Sequence, residues 1–223
     1  MLAFVRRDRM ANTVAALRTR LSALVPPPAA VADLHSFYRA WRRSPRAVGA
    51  MLPSGQALAR AITRHVQAGG GAVLELGSGT GVFTRALLAR GVAESDLLLV
   101  EREPQFVHAL RERFPAARVL EGDAARHPQG SVWPSVQCRP AAVVCGLPLL
   151  NMDGRQQMRV MQGAFSVLQP DGALLLFTYG LRSPLRPGVL ARLGLQAQKV
   201  DTVVANVPPA HVWRVTRAAL TLH

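Results

Sequence analysis

"VLELGSGTGVFTRALL", residues 73–88, decides the fold. A short apolar strand carrying one acid runs into glycines at 77, 79 and 81, and these lead straight into an apolar-striped helix. Strand, glycine turn and helix in immediate succession open a parallel sheet covered by helices. Alternate glycines remove the β-carbons that would hold a ligand away from the main chain, and they permit unusual dihedrals. The spacing is G-x-G-x-G, not the G-x-G-x-x-G that seats a pyrophosphate, and no lysine follows as in a phosphate-binding loop. Glu75, two residues before Gly77, would repel phosphate and attract a cation. The ligand implied is positive beside the loop.

The same alternation continues outward. Strands are expected at about 72–76, 97–101, 117–121, 141–145 and 173–178, with helices at about 80–90, 104–113, 154–168 and 186–193. The tail "KVDTVVANVPPAHVWRVTRA" (199–218) predicts two more strands around "NVPPA", an antiparallel pair at the sheet edge. Ligands of such sheets sit at the carboxyl ends of the strands. Glu101 closes the second strand, "LLLVE", where it suits the two hydroxyls of a ribose; Asp123, in "LEGDA", follows the third, where it suits an adenine amino group. One acid after a strand is commonly a solvated loop residue or a cap. Three at successive strand ends, with the glycines, are a specific signal, and S-adenosylmethionine with its ammonium and sulfonium fits it.

Over about residues 70–180 the chain resembles the class I S-adenosylmethionine-dependent methyltransferases. The resemblance implies an α/β, Rossmann-like fold: a seven-stranded, mostly parallel sheet with an antiparallel edge strand and helices on both faces. It implies S-adenosylhomocysteine as the product form of the cofactor. The fourth strand, "AAVVCGLPLLN" (141–151), then faces the methyl acceptor. In amine methyltransferases a proline turn here aims carbonyls at the attacking nitrogen, and enzymes acting on bases follow the proline with a stacking aromatic. This chain has Leu149 there, which borders an aliphatic amine or acyl chain but clamps no heterocycle.

Two further stretches, "FTYGLRSPL" (177–185) and "NVPPAHVW" (206–213), join "FYRAWRRSPRAVGAMLPSG" (37–55), "GLPLLN" and the glycine loop in the same order as in bacterial phospholipid N-methyltransferases, which they resemble. That family converts phosphatidylethanolamine stepwise toward phosphatidylcholine. The resemblance implies that Glu75, Gly77, Gly79, Glu101 and Asp123 hold the cofactor, flanked by Ser78, Thr80, Gly81, Arg102, Ala124 and Cys145. It implies that Gly146, Leu147, Pro148 and Tyr179 line the methyl-transfer site. The chain departs from the family at Ser78, where proline is common, and at Leu181, where proline follows the Tyr-Gly pair. Tyr179 is expected to contact the amine, as base or as positioning group, and Trp213 or Tyr38 to offer a ring face to the cationic product. His127 and His211 have no partner at metal or triad spacing, and no metal is expected.

Length and charge bound the rest. The 223 residues and 49% hydrophobic content suit one sizeable domain with an N-terminal elaboration. Residues 1–50 carry nine arginines against two aspartates, half of the net +14. Met10, Val14, Leu17, Leu21 and Leu24 form one helical stripe that ends at "VPPPAA", and Leu34, Phe37, Tyr38 and Trp41 form a second. Ser54 is the expected cap of a third helix carrying Leu58, Ile62 and Val66. The expected organisation is a basic helical region over 1–66, docking on an anionic membrane surface, and a cofactor-binding domain over 67–223. Cys138 and Cys145 form no disulfide framework, and no apolar run reaches ~18 residues. A cytoplasmic protein held peripherally at the inner membrane face is expected, with a phospholipid as substrate rather than nucleic acid. An RNA or protein amine methyltransferase, or a non-catalytic membrane-binding scaffold, remain the alternatives.

Overall fold

The computed structural model describes residues 53–126, 132–206 and 209–218. The two expected helices before residue 50, their docking role, Tyr38 and His127 lie outside these residues.

Seven strands form one sheet: β1 (Val73–Leu76), β2 (Leu97–Glu101), β3 (Arg118–Glu121), β4 (Ala142–Cys145), β5 (Ala173–Thr178), β6 (Leu195–Val203) and β7 (Ala210–Arg217). Their order is β3-β2-β1-β4-β5-β7-β6. The first five pair in parallel, whereas β7 runs antiparallel to both β5 and β6. The expected antiparallel pair therefore lies at the edge, with the reversed strand inside and β6 outermost. Side chains explain that order. Ala210, Val212 and Val215 of β7 are fully buried, while β6 exposes Gln196, Gln198 and Lys199. A register shift between Lys199 and Asp201 further disfavours pairing by another strand at this edge.

Strand periodicity is hidden in the sequence because both faces are covered. β1 and β2 are buried at every position. Leu74, Leu76, Val143, Cys145 and Leu174 face the helices α4 (Gly154–Val167) and α5 (Pro187–Arg192), meeting Val160, Met161, Ala164 and Val189. Val73, Leu97, Leu99, Val144 and Leu175 face the opposite layer. That layer comprises α1 (Pro53–Thr63) through Leu58 and Ile62, α2 (Val82–Ala89) through Leu87, and α3 (Pro104–Arg113) through Leu110. Helix α1 starts one residue before the expected Ser54 cap, because proline's missing N–H and fixed φ suit a first helical position. Helix α4 begins in a capping box: Asp153 accepts from the Gln156 N–H at 2.8 Å, and the Gln156 side chain accepts from the Asp153 N–H at 3.0 Å.

The far end of α4 is held by one side chain of β7. The Arg217 guanidinium donates to the carbonyls of Phe165 (2.6 Å), Gln169 (2.8 Å) and Pro170 (2.9 Å), and lies 5.3 Å from the centre of the Phe165 ring. A cation here satisfies carbonyls that the helix leaves open and opposes the negative end of its dipole. Arg217→Ala should cost about 3 kcal/mol, the scale of charge-assisted hydrogen bonds lost together. In a domain of this size that lowers the melting temperature by roughly 6–12 °C. A thermal scan showing a change under about 1 °C would mean that water serves those carbonyls equally well.

Candidate functional site

Strand order reverses between β1 and β4, and the glycine loop emerges at that switch point. The loop is hooked onto β2, with the N–H groups of Gly77 and Ser78 donating to the Val100 carbonyl at 2.8 and 3.2 Å. Gly77 has φ +74°, and a β-carbon there would lie 2.8 Å from Cδ2 of Leu147. Gly79 has φ +51°, and a β-carbon there would meet nothing within 4 Å. One glycine admits the neighbouring loop. The other bares main chain to open space, as a ligand cradle requires.

Glu101 holds the cradle's shape. Its Oε2 accepts the Gly79 N–H at 2.8 Å, and its Oε1 accepts the N–H groups of Arg102 (2.8 Å) and Glu103 (3.0 Å). The carboxylate expected to meet a ribose thus also ties the loop to the end of β2. Thr80 is tied from the outside, its carbonyl accepting from Arg113 at 2.8 Å and Arg85 at 3.1 Å.

Glu75 lies fully buried on the α2 side of β1, its Oε2 accepting the Thr84 hydroxyl at 2.7 Å. Desolvation pushes its carboxyl up to about 8; the Thr84 bond opposes this shift and the nearby Glu101 adds to it. The acid read from the sequence as a standing negative charge is thus held neutral by burial at pH 7. Its Oε1 and the Ser78 hydroxyl are both buried without a hydrogen-bond partner. Two orphaned polar atoms at an open glycine cradle are the features that a polar, positively charged ligand would complete. The residues present fit S-adenosylmethionine.

Asp123 closes its own turn, accepting the Ala125 N–H at 2.8 Å, and its other oxygen lies 3.7 Å from the Arg102 guanidinium. The buried Ala124 offers its carbonyl to the Trp133 indole N–H at 3.2 Å. Trp133 in turn fills a notch in α4: a β-carbon on Gly163 would lie 2.1 Å from the indole. This brace for the third strand's loop was missed in the sequence, although a lone glycine inside a helix is a recognisable sign of close packing. Cys145 faces the core, where burial pushes its thiol up to about 12 and leaves it without nucleophilic character.

The turn after β4 abuts the glycine loop. Gly146 donates to the Leu76 carbonyl at 2.8 Å, and a β-carbon on it would crowd the Gly77 carbonyl at 3.0 Å and Phe83 at 3.3 Å. Pro148, at φ −77° and ψ 68°, forms an inverse γ-turn in which the Leu147 carbonyl accepts the Leu149 N–H at 2.8 Å. That carbonyl, expected to orient an amine, already has this partner. Leu149 corrects a second expectation: it is buried in the core, and Leu150 is the exposed neighbour. The 3-10 turn over Leu149–Asn151 rotates the residue after the proline inward.

Tyr179 ends an aromatic row, with Phe83 to Phe177 at 5.9 Å and Phe177 to Tyr179 at 5.8 Å, both edge-on. Burial raises its phenol above the ordinary value against a hydrogen bond with Asn206, so it is a neutral phenol at physiological pH, suited to positioning rather than to base catalysis. Trp213 packs into the α4 face, the opposite side of the sheet from Tyr179, so the two rings do not share one cage. His211 is occupied, its Nδ1 lying 3.0 Å from the Thr202 hydroxyl.

Known proteins share this fold. A TehB-like S-adenosylmethionine-dependent methyltransferase from Corynebacterium glutamicum superposes with a TM-score of 0.56 at 17% identity, over 83% of this chain and 98% of that one. The fold is that of a class I methyltransferase. Residues 73–172 match a family model described as a methyltransferase domain. Within curated sequences, the chain is 28% identical over 144 residues to an ornithine lipid N-methyltransferase of Singulisphaera acidiphila, covering 63% of this chain and 74% of that protein. It is 30% identical over 156 residues to ribosomal RNA small subunit methyltransferase A of Porphyromonas gingivalis, covering 63% of this chain and 56% of that protein. The matched stretch thus spans little more than half of the RNA enzyme.

Proposed function

We propose that this methyltransferase uses S-adenosylmethionine to methylate the amine headgroup of a membrane lipid, phosphatidylethanolamine and its partly methylated forms. The observation that carries the lipid reading is the rim of the site. The exposed large apolar residues among those described are Leu150, Leu181 and Val204, at 57, 77 and 78% exposure. Each follows the carboxyl end of a strand, β4, β5 or β6, on the side of the sheet where the glycine loop opens. All are aliphatic, and Arg155, Arg182 and Arg186 are exposed in the same segments. Apolar side chains interleaved with arginine suit acyl chains and phosphate headgroups, whereas stacking on a base calls for an aromatic. Similarity to a lipid N-methyltransferase supports the same reading. The nine arginines of residues 1–50 would add attraction of about 1 kcal/mol each near anionic lipid. No helix among the described residues is long and apolar enough to cross a membrane, so contact through these would be peripheral.

When bound, the cofactor supplies an electrophilic methyl group whose transfer leaves S-adenosylhomocysteine. The chain's task is to present a nitrogen with a free lone pair. A lipid amine resembles lysine, with a pKa near 10, so its protonation at pH 7 would cost roughly 4 kcal/mol if uncorrected. The apolar surroundings of Phe83, Phe177 and Leu147 disfavour the ammonium, and the Tyr179 oxygen orients the N–H bonds.

The test is incubation of the full chain with methyl-labelled cofactor, vesicles containing phosphatidylethanolamine, and ribosomal RNA. Label is expected in N-methylated phospholipid. Label confined to RNA would replace the lipid reading with the one that similarity to the ribosomal RNA enzyme suggests, and label in neither would remove both acceptors.

A further inference from the structure

We propose that Gln157 is a positioning residue of the methyl-transfer site, its buried amide holding the loops after β4 and β5 at a fixed separation. The inference deepens the reading above, in which those loops face the methyl acceptor, and rests on it. β4 and β5 pair in parallel up to Cys145 and Leu176, and beyond the sheet the chain leaves for α4 and α5 respectively. The first loop carries Leu147, Pro148 and the exposed Leu150; the second carries Tyr179 and the exposed Leu181. Gln157 stands near the start of α4 and is 1% exposed. Its Nε2 donates to the carbonyls of Leu149 at 2.8 Å and Pro184 at 2.9 Å, and its Oε1 accepts the Arg186 N–H at 2.9 Å. One side chain thus binds both loops.

The partners fix the orientation of the amide. Two carbonyls can only accept and one backbone N–H can only donate, so exchanging the amide oxygen and nitrogen would break all three bonds. The side chain is also anchored at its root, where the Gln157 N–H donates to the Asp153 carbonyl at 3.0 Å. Pro184 and Arg186 lie between β5 and α5, where neither ladder nor helix supplies their backbone partners. A hydrophobic side chain would fill the same space but strand these groups. The loops would then move to reach water, and the walls of the acceptor site would move with them. Methyl transfer needs the nitrogen, methyl carbon and sulfur in line, so a small shift of one wall slows it steeply. The glycine cradle is tied separately, through Glu101 at the end of β2.

The experiment compares Gln157→Met and Gln157→Glu with wild type in the full chain, at pH 6 and pH 9. Short-chain phosphatidylethanolamine is the acceptor, read as kcat and KM, and calorimetry gives the cofactor Kd. Methionine keeps the shape and removes all three hydrogen bonds. Gln157→Met should lose about 30-fold in kcat/KM at both pH values, on the scale that a displacement of under about 1 Å causes, with the cofactor Kd within about threefold of wild type. A carboxyl at this place is raised by burial and by the two carbonyls facing it, and only its protonated form can donate to one of them. The ionisable side chains of its neighbours Asp153 and Arg186 are exposed to water. Gln157→Glu should therefore stay within about tenfold of wild type at pH 6 and fall to the level of Gln157→Met at pH 9. A Gln157→Met protein within about threefold of wild type would overturn the role, and so would a cofactor Kd that weakens in proportion to kcat/KM. A Gln157→Glu protein whose activity relative to wild type is the same at both pH values would overturn it as well. If Gln157→Met fails to fold, the Gln157→Glu comparison decides; failure of both to fold would assign Gln157 to the core alone and overturn the role. Wild type that labels no amine lipid sinks the acceptor reading, whereas active wild type with an unimpaired Gln157→Met protein sinks only this role.

Discussion

Glu75→Gln should be more stable than wild type at pH 9, by up to ~5 kcal/mol, and about equal to it at pH 4. The sign follows from where the proton resides. In the folded chain the Glu75 carboxyl is raised from 4.5 to about 8, first by desolvation. Between those values the folded state keeps a proton that the unfolded state has released. Stability therefore falls as pH rises through that window and levels off above it. Glutamine has the same shape, can still accept from Thr84 at 2.7 Å through its carbonyl, and has no proton to lose in this range. Urea midpoints of both proteins at pH 4, 6 and 9 test this: the gap should widen with each step. A gap that stays constant would mean that Glu75 is not desolvated as its surroundings imply.

Glu101→Ala should weaken S-adenosylmethionine binding by about 100-fold or more. Two losses add. The contact expected between this carboxylate and the cofactor's ribose would be lost, and a charged hydrogen bond of this kind contributes roughly 1.5–3 kcal/mol. The Gly79 N–H would also lose its 2.8 Å partner, loosening the centre of a loop that is otherwise held at Gly77, Ser78 and Thr80. Glu101→Gln keeps one acceptor and should fall between alanine and wild type. Calorimetry giving wild-type affinity for the alanine variant would discard Glu101 as the link between cofactor and loop.

Much of the sheet was legible because fully buried parallel strands must be short apolar runs closed by turns. β2 and β5 were readable almost to the residue, and the glycine triplet located the switch point. Leu149 and Leu150 were not separable that way. Both are leucines after a proline, and only the 3-10 turn decides that one enters the core and the other meets solvent. Glu75 was legible as an acid but not as a neutral one, since its charge depends on what α2 packs over it. Asn206 stands in the quoted stretch 206–213, yet only the folded hairpin buries its side chain. Trp133 and Gly163, thirty residues apart in the chain, meet through a contact that no local pattern encodes.

The residues alone determined the layered α/β order, the bare glycine cradle and the acids at successive strand ends, because each follows from local periodicity and from what a missing β-carbon allows. Tertiary structure decided the charge of Glu75, the partners of Glu101, the inward turn of Leu149 and the aromatic row that ends at Tyr179. Those depend on desolvation and on which groups meet across the sheet. Both arise only when distant segments pack together.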